Sequence, residues 1–319
     1  MAELKQIFKK QGGLGLLKQY WRGGGLFTAA GQFLLLGKSR TALELLRLST
    51  QLKAKQKLYK KFAPVLAEFD RSYDESLPHE SSGKVWICWF QRMENAPALV
   101  RKCYESVREN LGNREIVLIT AENMADYVTF PRHILDKWQA GKITNTHMTD
   151  LLRLELLIRY GGLWLDATVL CTRKEAEIPG YFFDSDLFLY QCLKPGRDGH
   201  SHLCSSWLMS AKTNNKLLMA VRELCYRYWE KYDDMIDYFL LHDFLSLCME
   251  HYPDIWRSIM PVCNSTPHIL LLRLFEPYDD AMWRAVCDQT PFHKLTYKFT
   301  PEQAALEGTW YRRLFGDGV

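Results

Sequence analysis

Hydrophobic and polar positions follow two different periods along the chain. Short apolar runs typical of buried strands occupy residues 84–90 (KVWICWF) and 115–120 (EIVLIT), and residues 98–110 between them show helical spacing. A strand, a helix and a strand within about 40 residues favour a parallel α/β unit, because parallel strands need a crossover connection. The pattern therefore predicts an α/β fold for this part of the chain.

A third predicted strand follows a long helix. The helix is expected from about residue 144 to 160, and the apolar run at 163–170 is expected to be a strand. Gly161 and Gly162 stop the helix, since glycine readily adopts the left-handed conformation at a helix end. The other predicted elements are a strand near 186–190 and helices near 131–140, 216–231 and 234–250, ahead of a C-terminal segment rich in aromatic and basic residues.

The first 70 residues have a different character. They are predicted as helices joined by the turn Gly23-Gly24-Gly25, and Pro64 is expected to kink or restart the last helix. Residues 1–62 contain 13 Lys and Arg but 2 Asp and Glu, or +11, whereas the whole chain carries +4. Residues 71–83 are rich in Ser, Asp and Glu. We therefore expect a basic helical extension over 1–70, a linker over 71–83 and the main domain over 84–319.

Composition limits the class of protein. With 319 residues, 47% of them hydrophobic, the chain is long enough for one large domain or two modest ones. A net charge of +4 is too small for a dedicated nucleic-acid binder. Nine cysteines without a C-x-x-C pair do not indicate a disulfide framework or a zinc ribbon, so we expect a reducing compartment.

The basic extension allows two interpretations. Basic residues around short apolar stretches are typical of a helix at an anionic membrane surface. The alternative is a solvated helical arm that packs on its own body or on a second subunit. The uncharged stretch 23–37 has 15 residues, fewer than the roughly 20 that span a bilayer, and residues 1–18 do not resemble a signal peptide. We expect a cytoplasmic protein, with peripheral attachment at the inner face of the cell membrane left open.

The candidate chemistry lies in residues 146–169. Asp150 and Arg153 are three residues apart on a largely apolar helix, so both lie on one side of a segment that must be mostly buried. In the following strand, alternation places Trp164, Asp166 and Thr168 on one face. Ligands of open α/β sheets bind at the carboxyl ends of the strands, which makes these residues a candidate site. Alternatively, Asp150 and Arg153 pair with each other and Asp166 caps the next turn.

The same residues carry a family resemblance. Asp150-x-x-Arg153, followed by GGLWLDAT at 161–168, resembles the signature of the glycosyltransferase family with a sugar-binding DXD region, in particular its capsular polysaccharide synthesis branch. Further segments that carry the resemblance are VWICWFQ at 85–91, SSWLMSA at 205–211, DYFLLH at 237–242 and HKLTYK at 293–298. It implies a Rossmann-like GT-A fold, a nucleotide-sugar donor with UDP as the expected nucleotide, and retention at the anomeric carbon.

The resemblance also implies roles for single residues. Asp150 and Arg153 resemble the pair that holds the hydroxyls of the donor sugar and the departing phosphate, and Arg suits this role because its planar fork stays charged. Asp166 resembles the first acid of DXD, and Trp164 the aromatic wall beside the donor. Trp89 resembles the aromatic that stacks on uracil, with a core tryptophan as the alternative. Asp150, Arg153 and Asp166 are therefore the expected catalytic residues.

One position departs from the family pattern. Thr168 replaces the second acid of DXD, and a neutral hydroxyl is a weaker ligand for Mn²⁺ or Mg²⁺ than a carboxylate. Either Asp166 and the diphosphate bind the ion with help from His242, or Lys294 and Lys298 supply part of the positive charge. We expect a retained but weak metal site, and we place Thr168, Lys294 and Lys298 among the donor-binding residues.

The expected activity is transfer of a sugar to a polysaccharide or a lipid-linked oligosaccharide in capsule or cell-surface biosynthesis. No residue stands out as a covalent nucleophile, which agrees with the front-face displacement of retaining relatives, in which the departing phosphate helps to remove the acceptor proton. Asp184 and Asp186 share the DXD spacing but lie after the candidate site, and we expect them in a loop or at a sheet edge. The alternative function is a non-catalytic scaffold of a polysaccharide assembly cluster.

Overall fold

A mixed five-stranded sheet with helices packed on both faces forms the centre of the fold. The computed structural model describes residues 14–192 and 201–316, and the predictions for residues 1–13, including that on the signal peptide, lie outside this part. Within the described residues, none of the helices combines the length and the apolar content that crossing a bilayer requires.

The strands of the central sheet are, in spatial order, β2 (Glu115–Ile119), β1 (Lys84–Cys88), β3 (Gly162–Asp166), β6 (Cys204–Ala211) and β5 (Leu187–Gln191). The first three are parallel, and Cys88 at the end of β1 is opposite Asp166 at the end of β3. The last two are antiparallel to their neighbours. The predicted parallel α/β unit is therefore confirmed. A second sheet pairs β4 (Val169–Cys171) with β7 (Phe292–Lys294) in antiparallel register.

Helices connect and cover the strands. They are α1 (Leu14–Gly23), α2 (Leu26–Leu36), α3 (Arg40–Ser72), α4 (Ala98–Asn110), α5 (Met124–Tyr127), α6 (Arg132–Gln139), α7 (Asn145–Tyr160), α8 (Tyr181–Asp184), α9 (Lys216–Lys231), α10 (Leu240–His251), α11 (Pro253–Ser258), α12 (Ile269–Arg273), α13 (Asp280–Gln289), α14 (Pro301–Ala304) and α15 (Trp310–Phe315). Short 3₁₀ turns lie at Met93–Asn95, Glu175–Glu177 and Thr266–His268. The helices predicted over 98–110 and 216–231 have the same bounds in the structure.

Strand alternation divides the core between the two faces of the central sheet. Trp86 of β1 and Trp164 of β3 face α7, α9 and α10, whereas Leu163 and Leu165 of β3 face the opposite layer. All four side chains are almost completely buried. Because successive residues of a strand point to opposite faces, Asp166 lies on the same side as Trp164, as predicted.

The N-terminal helices are continuous with this core rather than separate from it. Leu58, Phe62 and Leu66 of α3 belong to the same buried cluster as Trp86, and the Phe62 ring lies 5.1 Å from that of Phe244 in an edge-on arrangement. The packing therefore crosses the predicted domain boundary at residue 70, since burying these side chains requires the body of the protein.

Helix α3 also runs through Pro64, where a kink or a restart was expected. Proline removes one intrahelical hydrogen bond, which leaves the carbonyl of Lys60 without its usual donor. Both Pro64 and Lys60 are exposed, so water can replace the missing donor on the solvent side of the helix. The cost of the proline is therefore small enough for packing of the opposite side to keep the helix continuous.

Two predictions of single elements are wrong in detail. The strand predicted over 163–170 is divided into β3 and β4, because the chain leaves the central sheet after Asp166 and pairs with β7, and the carbonyl of Thr168 accepts from the amide of Leu295 at 3.0 Å. The helix predicted over 234–250 begins only at Leu240. Before it, the Asp237 carboxylate accepts from the amide of Phe239 at 2.7 Å, a local turn that competes with the helix.

The double glycine between α7 and β3 has a steric reason. Gly161 has φ +64° and Gly162 has φ +97°, a region that L-residues with a side chain avoid. A Cβ atom on Gly162 would lie 2.4 Å from the carbonyl oxygen of Lys84 in the neighbouring strand. The indole Nε1 of Trp86 donates to the carbonyl of Gly161 at 2.8 Å. Glycine at these positions therefore lets β3 approach β1 closely enough to pair.

Candidate functional site

A cleft of about 520 Å³ opens at the carboxyl ends of β1 and β3. Its size is within the range of roughly 300–1,000 Å³ that small-molecule sites occupy. The structure brings all of the sequence-predicted site residues to this cleft: Trp89, Asp150, Arg153, Trp164, Asp166, Thr168, His242, Lys294 and Lys298. The predicted residues therefore lie where open α/β sheets bind their ligands. The roles assigned to these residues stay predictions.

Arg153 lies at the centre of the site and is 3% exposed. Its Nη1 donates to Asp150 Oδ1 at 2.9 Å and to the hydroxyl of Ser206, and its Nη2 donates to Asp166 Oδ1 at 2.9 Å. The guanidinium also lies 4.9 Å from the ring centroid of Trp164. The ion pair between Asp150 and Arg153, which the sequence allowed as a purely structural contact, is thus present. The same guanidinium also pairs with Asp166. One buried cation holds two carboxylates at the wall of the cleft.

Local structure fixes the position of Asp150. Helix α7 begins at the Thr144 cap, whose hydroxyl accepts from the amide of His147 at 3.2 Å. One turn further on, the Nδ1 of buried His147 lies 3.2 Å from Asp150 Oδ2. Since Arg153 takes the other oxygen, the Asp150 carboxylate is held from both sides within the helix.

Lys294 of β7 completes the surroundings of Asp166. Its ammonium lies 3.0 Å from Asp166 Oδ2 and donates to Thr168 Oγ1 at 2.6 Å. The indole Nε1 of Trp164 donates to Asp166 Oδ1 at 3.0 Å. Burial alone would raise the pKa of Asp166, but Lys294 and Arg153, together with the Trp164 hydrogen bond, hold that pKa below its usual value. Asp166 is therefore ionised with both oxygens engaged.

Among the described residues, protein side chains alone do not form a metal centre. Across residues 14–192 and 201–316, no three His, Cys, Asp or Glu side chains converge in a way that could hold an ion. His242, the expected helper of Asp166, places its Nε2 3.2 Å from the hydroxyl of Ser206. Burial lowers the pKa of His242 to about 3, which keeps its imidazole neutral. Beside Thr168, where the family resemblance led us to expect a second acid, lies the ammonium of Lys294. The expected Mn²⁺ or Mg²⁺ itself stays a prediction.

An aromatic pair lines another part of the cleft. Trp89 directly follows β1 and is half-buried, and its ring meets that of Tyr297 edge-on at 5.5 Å between centroids. Lys298 is exposed next to Tyr297 and also lines the cleft. Trp89 therefore presents part of its ring to the cleft instead of lying wholly in the core.

Several residues of the cleft were not predicted as site residues. Ser206 links Arg153 to His242, and Trp207 lines the cleft with its Nε1 donating to Asn264 at 2.9 Å. Both belong to β6, whose residues 205–211 carry part of the family resemblance but contain no predicted site residue. The resemblance of this segment to the family is the sequence signal that could have indicated these two residues. Their hydrogen bonds reach residues more than 30 positions away and leave no local pattern.

The second DXD-spaced pair lies outside the cleft. Asp184 is exposed at the end of α8, and Asp186 precedes β5 and pairs with Lys212 at 2.6 Å. Neither lines the cleft. Asp186 therefore lies at a sheet edge as predicted, whereas Asp184 is the last residue of a short helix and not part of a loop.

A buried acidic cluster adjoins the cleft behind His242. His202 Nε2 lies 3.2 Å from Asp243 Oδ1, and the rings of His202 and His242 are 5.6 Å apart. Burial raises the pKa of Asp243 to about 8. Burial and the nearby Asp243 raise the pKa of Asp237 to about 6. The cluster therefore holds protons near neutral pH that isolated carboxyl groups would release.

Comparisons with known proteins give a consistent set of similarities. Residues 42–314 match the family model described as "Capsular polysaccharide synthesis protein". The O-glycosyltransferase PaGT of Phomopsis amygdali is 25% identical over 167 residues, which cover 48% of this chain and 40% of the relative. The O-glycosyltransferase braB of Annulohypoxylon truncatum is 29% identical over 126 residues, which cover 34% and 30% of the two chains. The chain thus spans less than half the length of these curated relatives.

Among solved structures, one titled "PaToxG Glycosyltransferase" superposes with a TM-score of 0.39 and 10% sequence identity. The superposition covers 82% of this chain and 96% of that chain.

Proposed function

Since the chain belongs to the family of capsular polysaccharide synthesis proteins, we propose that it is a glycosyltransferase that moves a sugar from a UDP-sugar to a glycan acceptor. The observation that carries this proposal is the bridge from Arg153 to Asp150 and Asp166 at the wall of a cleft of about 520 Å³. Two oriented carboxylates suit the hydroxyls of a sugar, because carboxylate oxygens accept strong, short hydrogen bonds.

Charge in the cleft supports a diphosphate as the neighbouring ligand group. Lys294 and Lys298 both line it, and each ammonium can contact phosphate oxygens. Arg153 is less suited to that role than the family resemblance implied, because three of its five N–H groups already donate to protein oxygens. We assign Arg153 to positioning the two carboxylates and Lys294 to neutralising phosphate charge beside Thr168. Trp89 and Tyr297 supply the aromatic surface for the base.

The reaction proposed for this cleft is a front-face displacement with retention. The bond from the anomeric carbon to the phosphate oxygen breaks, its electron pair stays on the phosphate, and the acceptor oxygen bonds to the same face of the carbon. The proton of the acceptor hydroxyl passes to the departing phosphate. Lys294 and Lys298 stabilise the negative charge that develops on the departing phosphate. Preorganised cations lower a barrier most where charge develops in the transition state.

The protein contributes orientation more than covalent chemistry. Asp150 and Asp166 are both held by Arg153, so a free carboxylate nucleophile is not part of the proposal. The fixed carboxylates hold the donor sugar so that its anomeric carbon meets the acceptor hydroxyl, and such positioning accounts for a large share of rate enhancement in general. The proposed acceptor is a polysaccharide or a lipid-linked oligosaccharide, in keeping with the family description.

The test is a screen of nucleotide sugars with the purified chain. A donor that binds the folded form raises the unfolding temperature, and turnover releases the nucleoside diphosphate when an acceptor glycan is present. We expect a UDP-sugar to do both. Binding without release would favour the non-catalytic scaffold, and a panel in which no nucleotide sugar raises the unfolding temperature would overturn the proposal.

A pair of variants shows whether the base contacts Trp89. Trp89→Ala should weaken UDP and the UDP-sugar by the same factor, roughly tenfold or more, since one aromatic–base stack contributes about 1–3 kcal/mol. Trp89→Phe should keep most of the affinity because the ring face is retained. Equal affinity of the Ala variant and the wild type would place the base elsewhere.

A further inference from the structure

Helix α2 is covered by the protein on one side only. Its residue Ala29 is buried, and Gln32 Nε2 donates to the Ser49 hydroxyl of α3 at 2.7 Å. Before the helix, the backbone of Gly25 passes so close to Thr50 that a Cβ would lie 3.1 Å from its methyl group. These contacts fix α2 on α3 and so determine which side faces outward.

The outward side of α2 is apolar. Phe27, Leu34 and Leu35 are 82%, 84% and 85% exposed. Their spacing of seven and eight residues places them on one face of a helix, with exposed Ala30 between them. Scattered exposed leucines are ordinary on protein surfaces, but three large apolar side chains on one face of an 11-residue helix form a patch. We define Phe27, Leu34 and Leu35 as the outward face of α2.

Charge around this face is strongly positive. Between residues 23 and 37 the sequence has no charged side chain, and Lys38 and Arg40 follow at once, both exposed. Further along α3, Arg47 and Lys53 are also exposed. Over residues 14–62 the sequence has 10 Lys and Arg but 1 acidic residue, Glu44. An apolar face bordered by cations matches a lipid surface that carries anionic headgroups.

We propose that the outward face of α2, with Lys38 and Arg40 beside it, docks in the plane of an anionic lipid bilayer. The helix has 11 residues, so it lies in the interface and does not cross the bilayer, which takes roughly 20. Burial of the apolar side chains and attraction of the cations to headgroups act together, since either signal alone gives marginal membrane binding. This proposal is independent of the chemistry in the cleft, because none of these residues lines it.

The experiment is flotation of the purified full chain with phosphatidylcholine vesicles, with and without phosphatidylglycerol. We expect co-flotation with the anionic vesicles and a decline as salt is added, because salt screens the lysine and arginine contribution. The double variant Leu34→Glu/Leu35→Glu should bind these vesicles at least roughly tenfold less. Lys38→Glu/Arg40→Glu should lose the preference for anionic vesicles.

The matched control is Leu272→Glu, which places the same new charge at a 74% exposed leucine of α12. It should float like the wild type. Unchanged unfolding temperatures and unchanged circular dichroism of all variants show that the fold is intact. A wild-type chain that stays with the vesicle-free fraction would overturn the proposal. So would a dimer that dissociates when Leu34 and Leu35 are replaced, because the face would then bind a second copy.

Discussion

Arg153 Nη2 donates to Asp166 Oδ1 over 2.9 Å and thereby joins α7 to the end of β3. The same guanidinium holds Asp150 at 2.9 Å through its other terminal nitrogen. A fork of two parallel donors is a property of arginine that lysine lacks. The relative position of the two carboxylates therefore depends on the planar shape of one buried side chain as well as on its charge.

Arg153→Lys should lower sugar transfer by roughly 100-fold or more, because an ammonium cannot hold Asp150 and Asp166 in their present geometry and misplacement by about 1 Å has such an effect. The variant keeps the charge and should stay folded. Arg153→Ala is less informative, since it leaves two carboxylates beside a buried gap and should cost about 3–5 kcal/mol of stability. Release of nucleoside diphosphate from the donor measures the transfer rate, and circular dichroism checks the fold.

The control for this prediction is Asp184→Ala, which changes an exposed carboxylate outside the cleft. It should leave transfer unchanged. Asp166→Asn should lose activity as Arg153→Lys does, since both variants act on the same contact. Wild-type rates for Arg153→Lys and Asp166→Asn would remove these residues from the proposed machinery.

Lys294→Met should weaken UDP binding by roughly 10-fold to 100-fold, because hydrogen bonds to charged groups contribute about 1.5–3 kcal/mol. If Lys294 supplies the positive charge at this position, binding of UDP to the wild type should be the same with EDTA as with Mn²⁺. Isothermal titration in both conditions measures the two affinities. Lys212→Met, which removes an ammonium paired with Asp186 outside the cleft, should bind UDP like the wild type.

A converse variant sharpens the test of Lys294. Thr168→Asp combined with Lys294→Ala introduces a second carboxylate near Asp166 and removes the ammonium that contacts both positions. UDP binding by this double variant should become dependent on Mn²⁺ or Mg²⁺. Loss of wild-type UDP binding in EDTA would instead assign the charge to a metal ion and support the expectation drawn from the sequence.

The sequence predicts the elements of this fold best where amphipathic spacing and end signals agree. Helix α9 has the predicted bounds because the Asn215 side chain accepts from the amide of Leu218 and caps its start. The C-terminal helices α11, α12, α14 and α15 have four to six residues. Such lengths are too short for a helical period to be visible, and these helices depend on tertiary packing.

The central residues of the site could be predicted from the sequence, whereas the contacts at its edge could not. Asp150, Arg153 and Asp166 come from one continuous stretch, so helical spacing and strand alternation bring them together. The contact of Lys294 with Thr168 joins residues 126 positions apart. It arises because the chain leaves the central sheet after Asp166 and pairs with a strand that carries Lys294. No local pattern in the sequence contains that pairing.

Gly162→Ala should lower the free energy of unfolding by at least about 2 kcal/mol, because it combines an unfavourable positive φ with a backbone clash. The added Cβ would lie 2.4 Å from the carbonyl of Lys84, so β1 and β3 must separate. Gly141→Ala is the matched control, since Gly141 has φ +70° but nothing within 4 Å of the added atom. It should cost about 1 kcal/mol from backbone strain alone. Chemical denaturation measures both, and equal losses would show that β1–β3 packing does not require this glycine.

The acidic cluster behind the cleft predicts how stability depends on pH. Burial raises the pKa of Asp243 from 3.8 to about 8, so the folded chain keeps a proton that the unfolded chain has released. Stability from this group therefore falls as pH rises between these two values. Burial lowers the pKa of His242 from 6.5 to about 3, which makes stability rise with pH up to 6.5 and has no effect above it. Asp237, whose pKa is raised to about 6, makes stability fall as pH rises towards that value and has little effect above it.

Between pH 6.5 and 8, where His242 and Asp237 contribute little further change, the proton held by Asp243 should make the free energy of unfolding fall by about 1.4 kcal/mol per pH unit, the value for one proton. Asp243→Asn keeps an oxygen to face His202 but cannot release a proton, so its free energy of unfolding should be level across this window. Urea denaturation at several pH values measures both slopes. Asp184→Asn, an exposed replacement of the same kind, should keep the wild-type slope. If the Asp243→Asn variant loses stability with pH as steeply as the wild type does, the proton is held elsewhere, and Asp243 is ionised in the folded chain.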